Sequence, residues 1–82
     1  MKKSIHTEHY SLFCQLLKEA RIHNKLTQAD LAKCLKRPQS FVAKIENGER
    51  RIDVVEFITV AGAIGISPTS FIKNFENQSS KL

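Results

Sequence analysis

The apolar residues of this chain recur at spacings of three and four along most of its length, which is the pattern of helices with one buried face. The first such stretch runs from Tyr10 to His23, where the repeating positions are Phe13, Leu16, Leu17 and Ala20. No stretch alternates between apolar and polar residues as a half-buried strand does. The pattern predicts an all-α fold, a compact bundle of five short helices.

Start signals define the second and third helices. Thr27, with Asp30 three residues later, is typical of a helix N-terminus, because the hydroxyl caps free amides and the carboxylate meets the positive end of the helix dipole. This predicts a second helix over residues 28–35. Pro38 suits the first turn of a third helix, since its φ angle is helical and its missing N–H would have no partner there. The third helix ends at the Asn-Gly pair that begins with Asn47.

Two more helices follow in the C-terminal part. Asp53 predicts the start of a fourth helix that Gly65 stops, and Ser67 before a proline predicts a fifth. A chain of 82 residues divided in two would leave neither half a core, so we expect a single domain. The expected division is a flexible N-terminal arm, one helical domain and a flexible tail, over residues 1–9, 10–76 and 77–82.

Charge is distributed unevenly along the chain. The formal net charge is +5, and residues 1–51 hold 11 Lys and Arg against 5 Asp and Glu, which gives 11 − 5 = +6. Residues 52–82 hold 2 against 3 and are close to neutral. A basic surface is compatible with nucleic-acid binding but does not establish it, because many soluble surfaces are basic. A motif has to carry the functional argument.

The second and third helices are separated by about three residues, 36–38, which forces a steep crossing and predicts a helix-turn-helix. On the third helix Phe41, Val42 and Ile45 form the apolar stripe, and polar residues fall on the other sides. The major groove of DNA is wide enough to admit such a helix. Gln39 at its front can donate to and accept from an adenine edge at once.

Four segments in register carry a resemblance to a known family: "LLKEAR", "LTQADLAKCL", "PQSFVAKIENGERR" and "VAGAIGISPTSF". Over about Leu16 to Phe75 the chain resembles the lambda-repressor and Cro type of helix-turn-helix, the Xre family. The resemblance implies a sequence-specific regulator of transcription that binds double-stranded DNA, more often a repressor than an activator. The alternative is an antitoxin or a restriction-modification controller that acts through a protein partner.

The resemblance also implies roles for individual residues. The base-reading positions match Gln39, Ser40, Phe41 and Lys44. The phosphate-contacting positions match Gln28, Asn47, Arg50 and Arg51, and Gln28 also braces the residue at the front of the third helix. Glu49 beside Arg50 is a competing partner for that arginine. Arg21 and Glu46 match a buried salt bridge between the first and third helices. Two departures from the family are Ala43, where a serine is common, and Pro38, which replaces a serine or threonine cap.

A symmetric dimer through the fifth helix and the end of the fourth is expected, because one reading helix covers too few base pairs for useful specificity. Ile72 and Phe75 are the interface candidates, and Phe71 is assigned to the core. The alternative is that all of these side chains complete the core of one subunit. Lys2 and Lys3 are either an arm around the duplex or an unstructured terminus.

Other classes of function find little support. No nucleophile, base and orienting group occur at a plausible spacing, so no enzyme is expected. The three histidines, His6, His9 and His23, lack the companions of a metal site, and no cofactor or small-molecule effector is evident. Cys14 and Cys34 are interpreted as small hydrophobic residues of a reducing compartment. No long apolar run or secretion signal is present, which favours the cytoplasm.

Overall fold

The computed structural model of the protein describes the backbone of residues 3–82 and the side chains of residues 8–82. Every regular element in this part of the chain is a helix. The five are α1 (Lys3–His23), α2 (Gln28–Leu35), α3 (Gln39–Glu46), α4 (Val54–Ile64) and α5 (Pro68–Ser79). The predicted five-helix, all-α fold is confirmed.

Side-chain caps fix where the helices begin. Thr27 and Asp30 form the expected capping box at α2, with the Thr27 hydroxyl accepting from the Asp30 amide at 2.9 Å. Asp53 and Glu56 form a second capping box at α4. Ser67 caps α5 by accepting from the Ser70 amide. Each cap satisfies an amide that the helix itself leaves free, so the polar residues between apolar stretches determine the boundaries.

Two helix boundaries differ from those expected. Helix α1 begins at Lys3 instead of Tyr10, because residues 3–23 contain no Gly or Pro and apolar periodicity marks only the part of a helix that packs. Helix α5 continues to Ser79, beyond the expected end of the helical domain at residue 76, because residues 69–79 also contain no Gly or Pro. The division into arm, domain and tail stays a prediction. The suggested contact of Lys2 and Lys3 with DNA concerns side chains outside the described residues.

The core is built from all five helices. Its buried members are Leu16, Leu17, Leu31, Ala32, Val42, Ile45, Phe57, Val60, Ala61, Ile64 and Phe71. Phe13 of α1 packs against three rings of α4 and α5, with its ring centroid 5.5 Å from those of Phe57 and Phe71 and 5.8 Å from that of Phe75. Such tilted and edge-on pairs stabilise aromatic packing. The cluster ties α1 to α4 and α5 and leaves α2 and α3 to form one side of the molecule.

The two cysteines differ. Cys14 is buried, as expected for a small hydrophobic residue, whereas Cys34 is exposed and the same interpretation is wrong for it. The buried face of α2 lies between Leu31 and Ala32, and at about 100° per residue Cys34 falls outside that arc. Apolar neighbours in sequence therefore did not indicate burial.

Within residues 3–82 no single helix is long and apolar enough to cross a membrane. One pair, Val54–Ile64 with Pro68–Ser79, meets a length and composition test together, but the two helices are bent by 109°.

Candidate nucleic-acid interface

A three-residue turn connects α2 to α3. Lys36 adopts the left-handed conformation, with φ 57° and ψ 43°. Its amide and that of Arg37 donate to the carbonyls of Lys33 and Ala32 at 3.1 and 3.0 Å, which closes the last turn of α2. Pro38 follows in an extended conformation as the N-cap of α3, without a side-chain cap bond. Pro38 thus precedes the helix instead of occupying its first turn, and Gln39 becomes the first helical residue.

The exposed side of α3 carries the predicted base-reading residues. Gln39, Ser40 and Lys44 are exposed, and so is Asn47 at the C-cap. At about 100° per residue these four side chains span roughly 140° of the helix circumference. We call them the reading face. Ala43 lies within the same arc and is half-buried, so the middle of the face has no hydroxyl.

A hydrogen-bond chain leads from the interior to the reading face. Arg21 donates from Nε and Nη2 to the two carboxylate oxygens of Glu46, at 2.7 and 3.1 Å. The side chains of this pair are 9% and 4% exposed, so the expected salt bridge between α1 and α3 is present and buried. Gln28 Nε2 donates to Glu46 Oε1 at 2.9 Å, and Gln39 Nε2 donates to Gln28 Oε1 at 3.3 Å.

The chain fixes which way each amide points. The carboxylate of Glu46 can only accept, so Gln28 must turn its NH₂ group inward and its carbonyl oxygen toward Gln39. Gln39 must then give one of its N–H groups to Gln28. Its other N–H and its carbonyl oxygen stay available on the exposed side. One donor beside one acceptor is the set that matches the N7 and N6 positions of adenine in the major groove.

The aromatic ring of Phe41 lies between the reading face and the core. Phe41 is half-buried and packs against the core. The guanidinium carbons of Arg37 and Arg50 lie over its ring, 4.6 and 4.9 Å from the centroid. Arg50 also donates to the Glu56 carboxylate at 2.8 Å. The partner of Arg50 is therefore Glu56 of α4, and the expectation that adjacent Glu49 competes for it is wrong, because Glu49 points to solvent.

Tyr10 organises the loop after α3, a role that the sequence did not indicate. Its hydroxyl donates to the carbonyl oxygen of Arg50 at 3.2 Å, and its ring lies under the guanidinium of Arg51, 4.2 Å from centroid to Cζ. Burial raises the pKa of Tyr10. These contacts join residues 40 and 41 positions apart, separations that local spacing does not reveal. Arg51 itself is exposed beside the reading helix.

Comparison with known proteins identifies the family. A family model described as helix-turn-helix matches residues 17–71. The chain is also 44% identical to an XRE-family-like protein from Pseudomonas syringae pv. tomato str. DC3000, with a TM-score of 0.85 over 92% of each chain. This chain belongs to the Xre helix-turn-helix family. Members of the family are DNA-binding regulators and not enzymes, so the expected absence of catalysis is confirmed.

More distant structures share the fold of this Xre-family domain. The restriction-modification controller protein C.Esp1396I, as a tetramer in complex with its natural 35-base-pair operator, has a TM-score of 0.78 and 18% identity, over 87% of this chain and 93% of that one. The crystal structure of the wild-type controller protein C.Esp1396I has a TM-score of 0.77 and 19% identity, over 84% of this chain and 91% of that one. At this identity the likeness shows the fold alone. Among curated proteins, none matches the chain significantly.

The dimer candidates of this Xre-family domain lie on α5. Ile72 is 44% exposed, Phe75 is half-buried against the core, and Phe71 is buried as expected. Exposed apolar residues also occur on α4, but at its beginning: Val54 is 72% exposed and Ile58 is 53% exposed. The end of α4 contributes Val60, Ala61 and Ile64 to the core. The dimer contact expected through α5 and the end of α4 stays a prediction.

The residues whose side chains are described form no metal site. No three His, Cys, Asp or Glu residues come together among them in a way that would hold an ion. His9 and His23 are exposed, and the side chain of His6 lies outside the described residues.

Proposed function

We propose that this chain is a sequence-specific regulator of transcription that acts in the cytoplasm as a homodimer, with α3 in the major groove of an operator. Repression by occupying a promoter is the simplest mode of action for so small a domain. The observation that carries the proposal is the hydrogen-bond chain from the buried Arg21–Glu46 pair to Gln39. A solvated surface glutamine needs no such support, whereas a base-reading amide requires a fixed orientation.

The residues divide into two kinds of contact. Gln39, Ser40 and Lys44 read base edges, and Phe41 can touch a thymine methyl group or the groove wall with the exposed part of its ring. The family resemblance assigns the phosphate contacts, at both ends of the motif, to Gln28, Asn47, Arg50 and Arg51. Such contacts position the protein but do not choose the sequence. The guanidinium of Arg50 has little charge to offer a phosphate, because Glu56 already pairs with it.

Selection of bound duplexes from a random pool tests sequence-specific binding. The expected site is a palindrome whose half-sites lie one helical turn, about 34 Å, apart. In the selected site, Gln39→Ala should cost roughly 1 to 3 kcal/mol at one base pair per half-site and relax the preference there. Arg51→Ala should weaken binding to all sequences alike. A Gln39→Ala protein that selects the unchanged site would show that Gln39 reads no base.

The homodimer is proposed to form through Ile72 and Phe75 of α5 and the first turns of α4. An apolar groove supports this choice, since Val54, Ile72 and Phe75 line it together with the aromatic rings of α1. Two such surfaces can cover each other across a two-fold axis, and their segment is close to neutral, so the basic subunits do not repel there.

Light scattering at micromolar concentration tests the interface. Ile72→Glu should give a monomer, because it places a charge in the apolar contact. Asn74→Glu is the matched control, since it adds the same charge to the same helix about 160° away and should remain dimeric. A monomeric unmodified protein, both free and on its operator, would contradict the proposal.

A further inference from the structure

Arg37 occupies a position that no motif in the sequence singles out. It lies in the turn between α2 and α3, four residues before Phe41, and is exposed. Its guanidinium carbon is 4.6 Å from the centroid of the Phe41 ring. A cation held over an aromatic face has fewer conformations to lose when it binds an anion, and the stacking leaves the edge N–H groups of the guanidinium able to donate.

A second cation uses the same ring but is already neutralised. Arg50 lies 4.9 Å from the Phe41 centroid and donates to the Glu56 carboxylate at 2.8 Å. Glu56 is itself held in place, because its other oxygen accepts from the amide of Asp53 in the α4 capping box. The cluster of Arg37, Phe41, Arg50 and Glu56 therefore carries one net positive charge, and that charge is on Arg37.

The location of the cluster indicates what the charge meets. Phe41 lies on α3 about 60° beyond Lys44, at the edge of the reading face and away from its centre. A helix inserted in the major groove meets base edges along its middle and phosphates along its flanks. A cation at the flank is therefore placed for the backbone of the duplex.

We propose that Arg37 contacts a DNA phosphate and that the Phe41 ring is its platform, the surface that holds the Arg37 guanidinium in place; this proposal rests on the proposed function. Glu56 is a positioning residue, because its ion pair keeps Arg50 from contacting the phosphate. Phe41 thereby has a role besides any contact with a base. The phosphate contact assigned to Arg50 from the family resemblance passes to Arg37.

The salt dependence of operator binding tests the assignment. Each phosphate contact contributes about 0.9 to the slope of log K against log salt concentration. Arg37→Gln removes one contact from each subunit of the proposed dimer, so it should reduce the slope by about 1.8 and weaken binding to all duplexes alike. Lys73→Gln on α5 is the matched control, because it removes the same charge from an exposed position outside the motif and should leave the slope unchanged. The double variant Arg50→Gln with Glu56→Gln keeps the net charge and should also retain the wild-type slope. Circular dichroism confirms that each variant folds.

A double-mutant cycle tests the platform. Phe41→Leu keeps an apolar side chain for the core but removes the ring face, and we expect operator affinity to fall about two- to five-fold by loss of the cation–π contact. In a protein that already carries Arg37→Gln, Phe41→Leu should no longer cause this two- to five-fold loss of affinity, because the ring has no phosphate-contacting arginine to hold. Equal effects in both backgrounds would show that Phe41 acts independently of Arg37.

The outcomes separate this proposal from the one on which it rests. If the unmodified protein shows salt-dependent operator binding and Arg37→Gln keeps the same slope, the assignment of Arg37 is wrong and the proposed function stands. If the slope falls with the Arg50 and Glu56 double variant instead, Arg50 is the phosphate contact. If the unmodified protein has no preference for any duplex, both proposals are overturned.

Discussion

Removal of the Glu46 carboxylate is the sharpest test of how the reading helix is held. In the Glu46→Ala variant, Arg21 keeps one hydrogen bond, from Nη1 to the carbonyl oxygen of Leu26 at 2.7 Å, and loses both bonds to the carboxylate. Gln28 loses its acceptor as well. The guanidinium is left with a charge that no partner offsets, at a site where the residue is 7% exposed.

The magnitude follows from that burial. Breaking a buried ion pair by removing one partner costs about 3 to 5 kcal/mol, because the remaining charge stays desolvated. A domain of 82 residues has a free energy of unfolding of about 4 to 12 kcal/mol, so the loss is a large fraction of the total. For a domain of this size each kcal/mol shifts Tm by about 4 to 8 °C, which predicts a fall of at least about 12 °C.

Urea unfolding followed by circular dichroism measures the loss. Glu49→Ala is the control, since Glu49 is an exposed glutamate three residues later and its removal should change the free energy of unfolding by less than about 0.5 kcal/mol. If Glu46→Ala and Glu49→Ala unfold at the same urea concentration as the unmodified protein, the pair does not hold α3 and the reasoning fails.

Three other substitutions or reagents probe separate contacts. Hydrogen bonds from Thr27 hold the pKa of the Asp30 carboxyl below its usual range. The Asp30 carboxylate therefore stabilises the fold above about pH 4, the pKa of an unfolded aspartate, and this stabilisation is lost as the pH falls through the lower pKa of the folded state. In urea melts, the difference in free energy of unfolding between the unmodified protein and Asp30→Asn should close on acidification. Cys14 is buried, and burial raises the pKa of its thiol, whereas Cys34 is exposed. A thiol reagent at pH 8 should therefore modify Cys34 quickly and Cys14 only after unfolding. Equal rates of modification of the two cysteines in the native protein would contradict the packing. Tyr10→Phe should lower the free energy of unfolding by about 0.5 to 1.5 kcal/mol through loss of the bond to the Arg50 carbonyl, whereas an unchanged value would mean that this bond contributes nothing.

Local signals in the sequence predicted most of the fold. The capping pairs at Thr27 and Asp53 and the cap at Ser67 place helix starts where the structure has them, because each cap involves residues only three positions apart. The start of α1 was missed because the signal used was apolar periodicity, which reports packing and not helicity. Cys34 was misassigned for a related reason, since neighbours in sequence do not share a helical face.

The candidate site was predictable in part. The resemblance to the Xre family brought together Arg21, Glu46, Gln28 and Gln39, and the structure connects these four side chains in that order. The partner of Arg50 was not predictable, because the sequence indicates Glu56 only as part of the α4 capping box. In the structure one Glu56 carboxylate oxygen accepts from the Asp53 amide and the other accepts from Arg50. Contacts between aromatic rings and guanidinium groups follow no regular spacing in a sequence, so periodicity does not predict them.

The central claim is that the fixed amide of Gln39 makes this domain read sequence. The most direct measurement is the ratio of Kd values for a scrambled duplex and for the selected operator, at about 0.15 M salt, for the unmodified protein and for Gln39→Ala. For the unmodified protein we expect a ratio of about 10³ or more. Gln39→Ala should lower the ratio by about five- to a hundred-fold per reading helix. A ratio near one for the unmodified protein, or a ratio that Gln39→Ala leaves unchanged, would contradict the claim.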